Sequence, residues 1–140
     1  MKILAVDLGL ARTGLAISDA TEFLASPVGT VNERRLDRLL EKIAAVAAEQ
    51  RAEMIVVGHP KNMDGSCGES AQRAAQFAED LKIATGLPVT LWDERMTSVT
   101  AHSYLNEADV RGKKRKAVVD TVAATVILQD YLEYRRLHKQ

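Results

Sequence analysis

The stretch Met1-Lys-Ile-Leu-Ala-Val-Asp-Leu-Gly-Leu-Ala-Arg-Thr-Gly-Leu-Ala-Ile-Ser-Asp19 sets the reading of the rest of the chain. An apolar run, Ile3 to Val6, ends on a carboxylate, Asp7. Gly9 and Gly14 bracket a turn, and a second apolar run, Leu15 to Ile17, comes straight back. Two such runs around glycines read as a β-hairpin. Its first strand holds an acid at the carboxyl end, where a charge can be exposed beside a rigid sheet. Asp7 is therefore a candidate ligand for a metal ion or a phosphate.

Working outward, a third strand signal runs from about Phe23 to Val31. Pro27 lies inside it, which confines it to an edge or an irregular strand. Asn32 has the chemistry of a helix cap. Beyond it Leu36, Leu39, Leu40, Ile43, Val46 and Ala47 recur at helical spacing to about Gln50. Glu53 to Gly58 is short, β-branched and continuously apolar at its centre, the pattern of a buried parallel strand. A glycine-bearing loop, Lys61 to Gly68, leads to Ser66-Cys-Gly-Glu69, a capping signature. A helix carrying Ala71, Ala74, Ala75, Phe77, Ala78 and Leu81 follows and stops near Gly86-Leu-Pro88. Val89 to Trp92 is the next strand and leads into Asp93-Glu94. Thr97 caps a short helix to about Asn106. A polar, basic loop, Asp109 to Lys116, precedes a final helix from Ala117 to about Leu137. Three strands followed by helix–strand–helix–strand–helix–helix predict an α/β fold: a mixed five-stranded sheet with helices on both faces.

The 140 residues suit one domain, and the apolar and charged fractions are those of an ordinary globular protein. No apolar run approaches the ~20 residues of a spanning helix, so no membrane partner is expected. The single cysteine, Cys67, has no internal disulfide partner, which suits a reducing cytoplasm. The net charge is zero but unevenly placed. Residues 1–110 carry 11 Lys/Arg against 16 Asp/Glu, and residues 111–140 carry 8 against 3. An acidic body with a basic end can divide metal binding from phosphate binding.

Three acids are attached to stiff elements: Asp7 and Glu94 at strand ends, and Asp120 in the apolar run of the last helix. Adjacent strands lie about 4.8 Å apart, so acids ending two neighbours could share an ion, and a helix across those ends could add a third. Ala123 and Ala124, about one turn beyond Asp120, leave room for a ligand. Asp93 and Glu94 face opposite sides, so one of them at most joins the site. An all-oxygen set is the kind that Mg²⁺ or Mn²⁺ prefers. One cysteine and three dispersed histidines supply no zinc site, and there is no Walker-type loop or nucleophile elbow. His59 and Cys67 read as incidental loop residues and Trp92 as core. The basic run Arg111-Gly-Lys-Lys-Arg-Lys116, just before Asp120, could hold a phosphate backbone.

These motifs resemble the YqgF (RuvX) family of pre-16S rRNA nucleases, also called Holliday junction resolvases. The resemblance rests on Asp7, Gly9, Arg12 and Gly14; on Gly58-His-Pro60 with Asn62-Met-Asp-Gly65; on Asp93-Glu-Arg-Met-Thr-Ser98; and on Val119-Asp-Thr-Val-Ala-Ala-Thr-Val-Ile-Leu-Gln129. His59 departs from the family's usual leucine. The resemblance implies an RNase H-like fold, a single domain over 1–140, a cytoplasmic location and a part in maturing the 5′ end of 16S rRNA. Asp7, Glu94 and Asp120 then become the metal-holding catalytic acids for Mg²⁺ or Mn²⁺, with Asp93 the fallback for a fourth. Water activated by the metal attacks the phosphodiester, while Arg12, Lys113, Lys114 and Arg115 contact the nucleic-acid backbone. Two readings stand beside it: a junction resolvase acting on branched DNA, which needs a homodimer where an rRNA nuclease can be a monomer, and a nucleic-acid-binding assembly factor without catalysis. The actin-like ATPases share a similar glycine loop, but 140 residues leave no room for their second lobe.

Overall fold

The first strand, β1 (Ile3–Asp7), pairs antiparallel with β2 (Arg12–Ser18), with Asp7 opposite Gly14. The computed structural model describes residues 1–96 and 112–138, with side chains at 1–95 and 122–138. The third strand, β3 (Ala25–Asn32), pairs antiparallel with β2 at the edge of the sheet, as Pro27 requires, because proline has no N–H for a second neighbour. The β2–β3 register shifts at Leu15/Ala16, opposite the segment that holds Pro27 and Gly29. Gly29 has φ +146°, a conformation that excludes side chains, and it takes up the irregularity.

The remaining strands, β4 (Met54–His59) and β5 (Val89–Asp93), add in parallel, giving the order β3-β2-β1-β4-β5. Helix α1 (Leu36–Glu49) connects β3 to β4, and α2 (Glu69–Thr85) connects β4 to β5. A 3₁₀ turn, Glu94–Met96, follows β5, and α3 (Gly112–His138) is the last element. The fold is the expected mixed five-stranded α/β sheet.

Strand alternation divides the core in two. Leu4, Val6, Ile55 and Val57 pack with Leu39 and Ile43 of α1 and with Phe77 and Leu81 of α2. Ile3, Ala5, Met54, Val56 and Trp92 point the other way and pack under Ala124, Ile127, Leu128 and Leu132 of α3. Successive residues of a strand face opposite sides, so Asp7 and Gly58 share the α3 face with Ala5 and Val56. Polar contacts fasten α3 along its second half. The Gln129 amide oxygen accepts from Ala25 N at 3.2 Å, and Arg135 pairs with Glu22 at 2.7 Å.

Several boundaries differ from the sequence expectation. Asn32 ends β3 instead of capping α1, whose N-cap is Arg35 in extended conformation without a side-chain cap. The β-ladder with Arg12 holds Asn32, and pairing outweighs its capping propensity. The Ser66…Glu69 capping box does not form either. Gly68 is the N-cap of α2, and the Ser66 hydroxyl donates to Asp64 inside the preceding loop. The carboxyl end of α2 is as expected, with Gly86 left-handed at φ +71°. The basic segment does not form a loop up to Lys116. The helix already starts at Gly112, so Lys113, Lys114 and Arg115 lie in its first turns. Lys and Arg are good helix formers, and the apolar stripe beyond Ala117 supplies the packing that extends the helix toward them. The short helix expected from Thr97 to Asn106 falls outside the described residues, as do 109–111.

Candidate active site

Strands β1, β4 and β5 run parallel, so Asp7, His59 and Asp93 end at the same edge of the sheet. Ligand sites of open α/β sheets lie at this carboxyl edge. The expectation that the acids sit on neighbouring strands needs correction, because β4 lies between β1 and β5. Two strand spacings separate the outer pair by about 9–10 Å, so their carboxylates can meet only by reaching across β4.

Gly58 closes that gap. It sits opposite Trp92 in the β4–β5 register, one residue beyond the Val6–Val57 pair, and therefore between the ends of the two outer strands. A Cβ at this position would stand 3.1 Å from the Glu94 carboxyl carbon, 3.1 Å from its Oε1 and 3.0 Å from Ile127 Cδ1. The Glu94 carboxylate thus lies over the backbone of the middle strand, in the space a side chain would fill. From there it reaches toward Asp7, close enough for the two carboxyl groups to interact.

The electrostatics follow from this placement. Burial raises the Glu94 carboxyl above its ordinary value, the interaction with Asp7 works against that rise, and the nearby charge of Asp93 adds to it. Ile127 borders the same space, and Trp92, the register partner of Gly58, is buried edge-on against Tyr131 and Tyr134 at 5.7 and 5.5 Å between ring centroids. Two carboxyl groups brought together at a partly desolvated sheet edge either share a proton or are held apart by a cation.

Asp93 is committed elsewhere. Its carboxylate takes a two-pronged ion pair from Arg95, with Nη2 at 2.6 Å and Nε at 3.0 Å, which holds its pKa down at about 2. The same guanidinium donates from Nη1 to Met63 O at 3.4 Å. Gly65, at φ +89°, keeps its loop close enough that an added Cβ would be 3.3 Å from Arg95 Nη1. Arg95 therefore ties the Asn62–Gly65 turn to the strand end beside Glu94. His59 ends β4, with Nε2 4.0 Å from the exposed Cys67 thiol.

On the other side of Asp7, the hairpin turn is closed by Gly9. A Cβ there would lie only 2.0 Å from Arg12 O, so the turn admits no side chain. Its amide also donates to the buried Thr13 hydroxyl at 3.4 Å. Arg12 begins β2 on the face shared with Asp7 and lines an open cleft of about 390 Å³.

Of the expected acids, the structure brings Asp7 and Glu94 together. Asp120 lies on α3, with its side chain outside the described residues. Among the described residues no group of three His, Cys, Asp or Glu forms a metal cluster. Sequence reasoning missed Gly58 and Arg95. The available signal was a glycine at the end of an otherwise β-branched strand, a mark of close approach by another group.

The family profile described as "RuvX: Holliday junction resolvase" matches residues 1–134. The chain belongs to the RuvX family. A relative from Desulfitobacterium hafniense (strain DSM 10664 / DCB-2), named "Putative pre-16S rRNA nuclease", is 45% identical over 136 residues, covering 97% of this chain and 94% of the relative. One of the same name from Lachnospira eligens is 41% identical over 139 residues, covering 97% and 99%. Among solved structures, Thermus thermophilus RuvC in complex with a Holliday junction substrate superposes with a TM-score of 0.61 at 14% identity, covering 96% of each chain. The fowlpox virus Holliday junction resolvase gives 0.56 at 13%, covering 96% of this RuvX chain and 99% of the resolvase. At that identity the likeness shows the fold, a resolvase-type RNase H-like sheet. No described helix is long and apolar enough to cross a membrane.

Proposed function

We propose that this RuvX chain is a divalent-metal-dependent nuclease acting in the cytoplasm on precursor 16S rRNA, with residues 1–140 working as one domain. The observation that carries the reading is the approach of Glu94 to Asp7 across Gly58. Relatives named as pre-16S rRNA nucleases at 41–45% identity over nearly the whole chain support the substrate.

The residues fit a hard cation, since the converging donors are carboxylate oxygens without a competing thiolate or imidazole in the pair. Asp7 and Glu94 would hold Mg²⁺ or Mn²⁺. Asp120 is the proposed third ligand, placed on α3 seven residues before Ile127 and so close to two helical turns from a residue that borders Glu94. Such an ion supplies positive charge that offsets the scissile phosphate and makes a water more acidic. The chain's own part is to orient and to charge the site. Gly58 leaves the room, Ile127 borders the same space, and the Arg95–Asp93 pair holds the strand end from which Glu94 departs. Lys113, Lys114 and Arg115, in the first turns of the same helix as Asp120, together with Arg12 are the proposed backbone contacts.

The test is Mn²⁺-dependent cleavage of a precursor 16S rRNA fragment and of a four-way DNA junction, side by side, by wild type and Asp7→Asn. Cleavage of the RNA by wild type, abolished in the folded variant, is expected. Paired nicking of the junction by a dimer would instead identify a resolvase, because two nicks require two symmetry-related sites. Unchanged rRNA processing in cells carrying Asp7→Asn would identify an assembly factor without catalysis.

A further inference from the structure

The carboxyl edge of the sheet continues past Asp7 onto the antiparallel strands. There the start of β2 and the end of β3 leave the open cleft of about 390 Å³ lined by Ala11, Arg12, Asn32, Glu33 and Arg34. Arg12 and Asn32 are register partners, so the cleft straddles the β2–β3 ladder at its open end. Arg12 lies two residues beyond Gly14, the partner of Asp7. Two residues of strand and one strand spacing place Arg12 about 7 Å along the sheet and about 5 Å across from Asp7, with Asn32 one strand spacing of about 5 Å farther. That is the distance of a nucleotide or two along a backbone entering the acid pair.

The chemistry of the walls favours an anion. Arg34 is exposed and makes no ion pair with the described residues, so its guanidinium is available. The one acid, Glu33, is already engaged: Lys42 Nζ lies 3.0 Å from its carboxylate, and the Arg35 amide donates to it at 3.3 Å. Both contacts hold Glu33 ionised, below the usual carboxylate range, and spend its charge on Lys42. Asn32 is exposed at the rim and offers an amide donor. Helix α1 starts at Leu36, two residues after the last lining residue, without a side-chain cap; Asp37 in its first turn is paired with Arg35, and the helix dipole adds positive potential on that side.

We infer that this cleft is a phosphate subsite, in which Arg34 and Asn32, with Arg12 opposite, hold the nucleic-acid backbone one or two nucleotides from the Asp7–Glu94 pair. The inference rests on the nuclease reading and adds to it a second wall that the sequence motifs did not include. Arg34 is a binding residue and touches no reacting atom, so its loss acts on affinity and leaves the chemical step alone.

The experiment measures binding of a labelled single-stranded precursor rRNA fragment to the full chain, in Ca²⁺ to prevent turnover, across a salt series. It compares wild type, Arg34→Ala and Arg34→Glu. Removing one phosphate contact lowers the slope of log affinity against log salt by about 0.7 for a single strand. The expected result is that reduction in Arg34→Ala, with affinity weaker by about fivefold at low salt, and a larger loss in Arg34→Glu. With Mn²⁺, KM should rise by the same factor at unchanged kcat, and calorimetric Mn²⁺ binding should match wild type. Equal affinity and equal salt slope in both variants, with wild type binding and cleaving normally, would overturn the subsite alone. Absence of any salt-dependent binding by wild type would overturn the subsite together with the nuclease reading.

Discussion

Replacing Gly58 by alanine tests the geometry that joins the two acids. The new methyl carbon would sit 3.0 Å from Ile127 Cδ1 and 3.1 Å from the Glu94 carboxyl carbon and Oε1. Carbon contacts relax at about 3.5–4.0 Å, so one or both neighbours must retreat by about half an ångström. Ile127 is buried in the α3 cluster and has little freedom, whereas Glu94 stands at a strand end and moves more easily. A misplacement of 1 Å in a catalytic group costs about 100-fold, so half of that predicts about a tenfold fall in kcat/KM, near 1.4 kcal/mol of barrier. The fold should tolerate the change. Overpacking costs about 1–3 kcal/mol, offset by the ~0.5–1 kcal/mol that a strand gains when a glycine leaves it. Mn²⁺-supported cleavage, Mn²⁺ calorimetry and a urea melt on the same preparation separate the two effects. A folded Gly58→Ala protein with wild-type cleavage and metal affinity would refute the idea that this glycine makes room for Glu94 to reach Asp7.

Glu94 also predicts a pH dependence. Burial raises its carboxyl above the ordinary value, so the folded metal-free protein holds this proton more tightly than the unfolded chain does. The stability this confers is complete below the unfolded value, about 4.3, and is lost as pH rises through the raised folded value. Glu94→Gln removes that dependence. Melts in EDTA should show the variant matching wild type near pH 4 and exceeding it at pH 7.5, by about 1.4 kcal/mol for every pH unit that separates the folded value from the unfolded one. Parallel Tm–pH curves would contradict this. At the hairpin, Gly9→Ala puts a Cβ 2.0 Å from a backbone carbonyl, a clash that only movement of the turn can relieve. A loss of about 3 kcal/mol in urea unfolding is expected, and a neutral result would mean that the turn is not rigid.

Much of the fold was legible because the apolar patterns were clean. Ile3–Val6 and Met54–Val57 are continuous runs buried on both faces, and α1 shows its stripe at helical spacing. Local capping signals were less dependable. Asn32 and Ser66 have capping side chains, but strand pairing engages one and a loop hydrogen bond the other. Proximity in sequence also misled at the basic segment, where helix propagation from the packed stripe reaches back to Gly112. For the site, the sequence identified Asp7 and Glu94 as acids on stiff elements. It did not show strand order, so the intervening β4 and the need for Gly58 were invisible. Arg95 was hidden for a similar reason: its partner Asp93 is near in sequence, but its hold on Met63 depends on how the loop folds back.

The proposed chemistry turns on Asp7 and Glu94, meeting over Gly58, as the holders of the catalytic ion. A calorimetric Mn²⁺ titration of wild type and Asp7→Asn, with circular dichroism confirming that both are folded, addresses that pair without relying on any substrate. The variant should bind at least about tenfold more weakly, the loss of one charged ligand from a site that has few. Equal Mn²⁺ affinity in the two proteins would mean that the ion is held elsewhere.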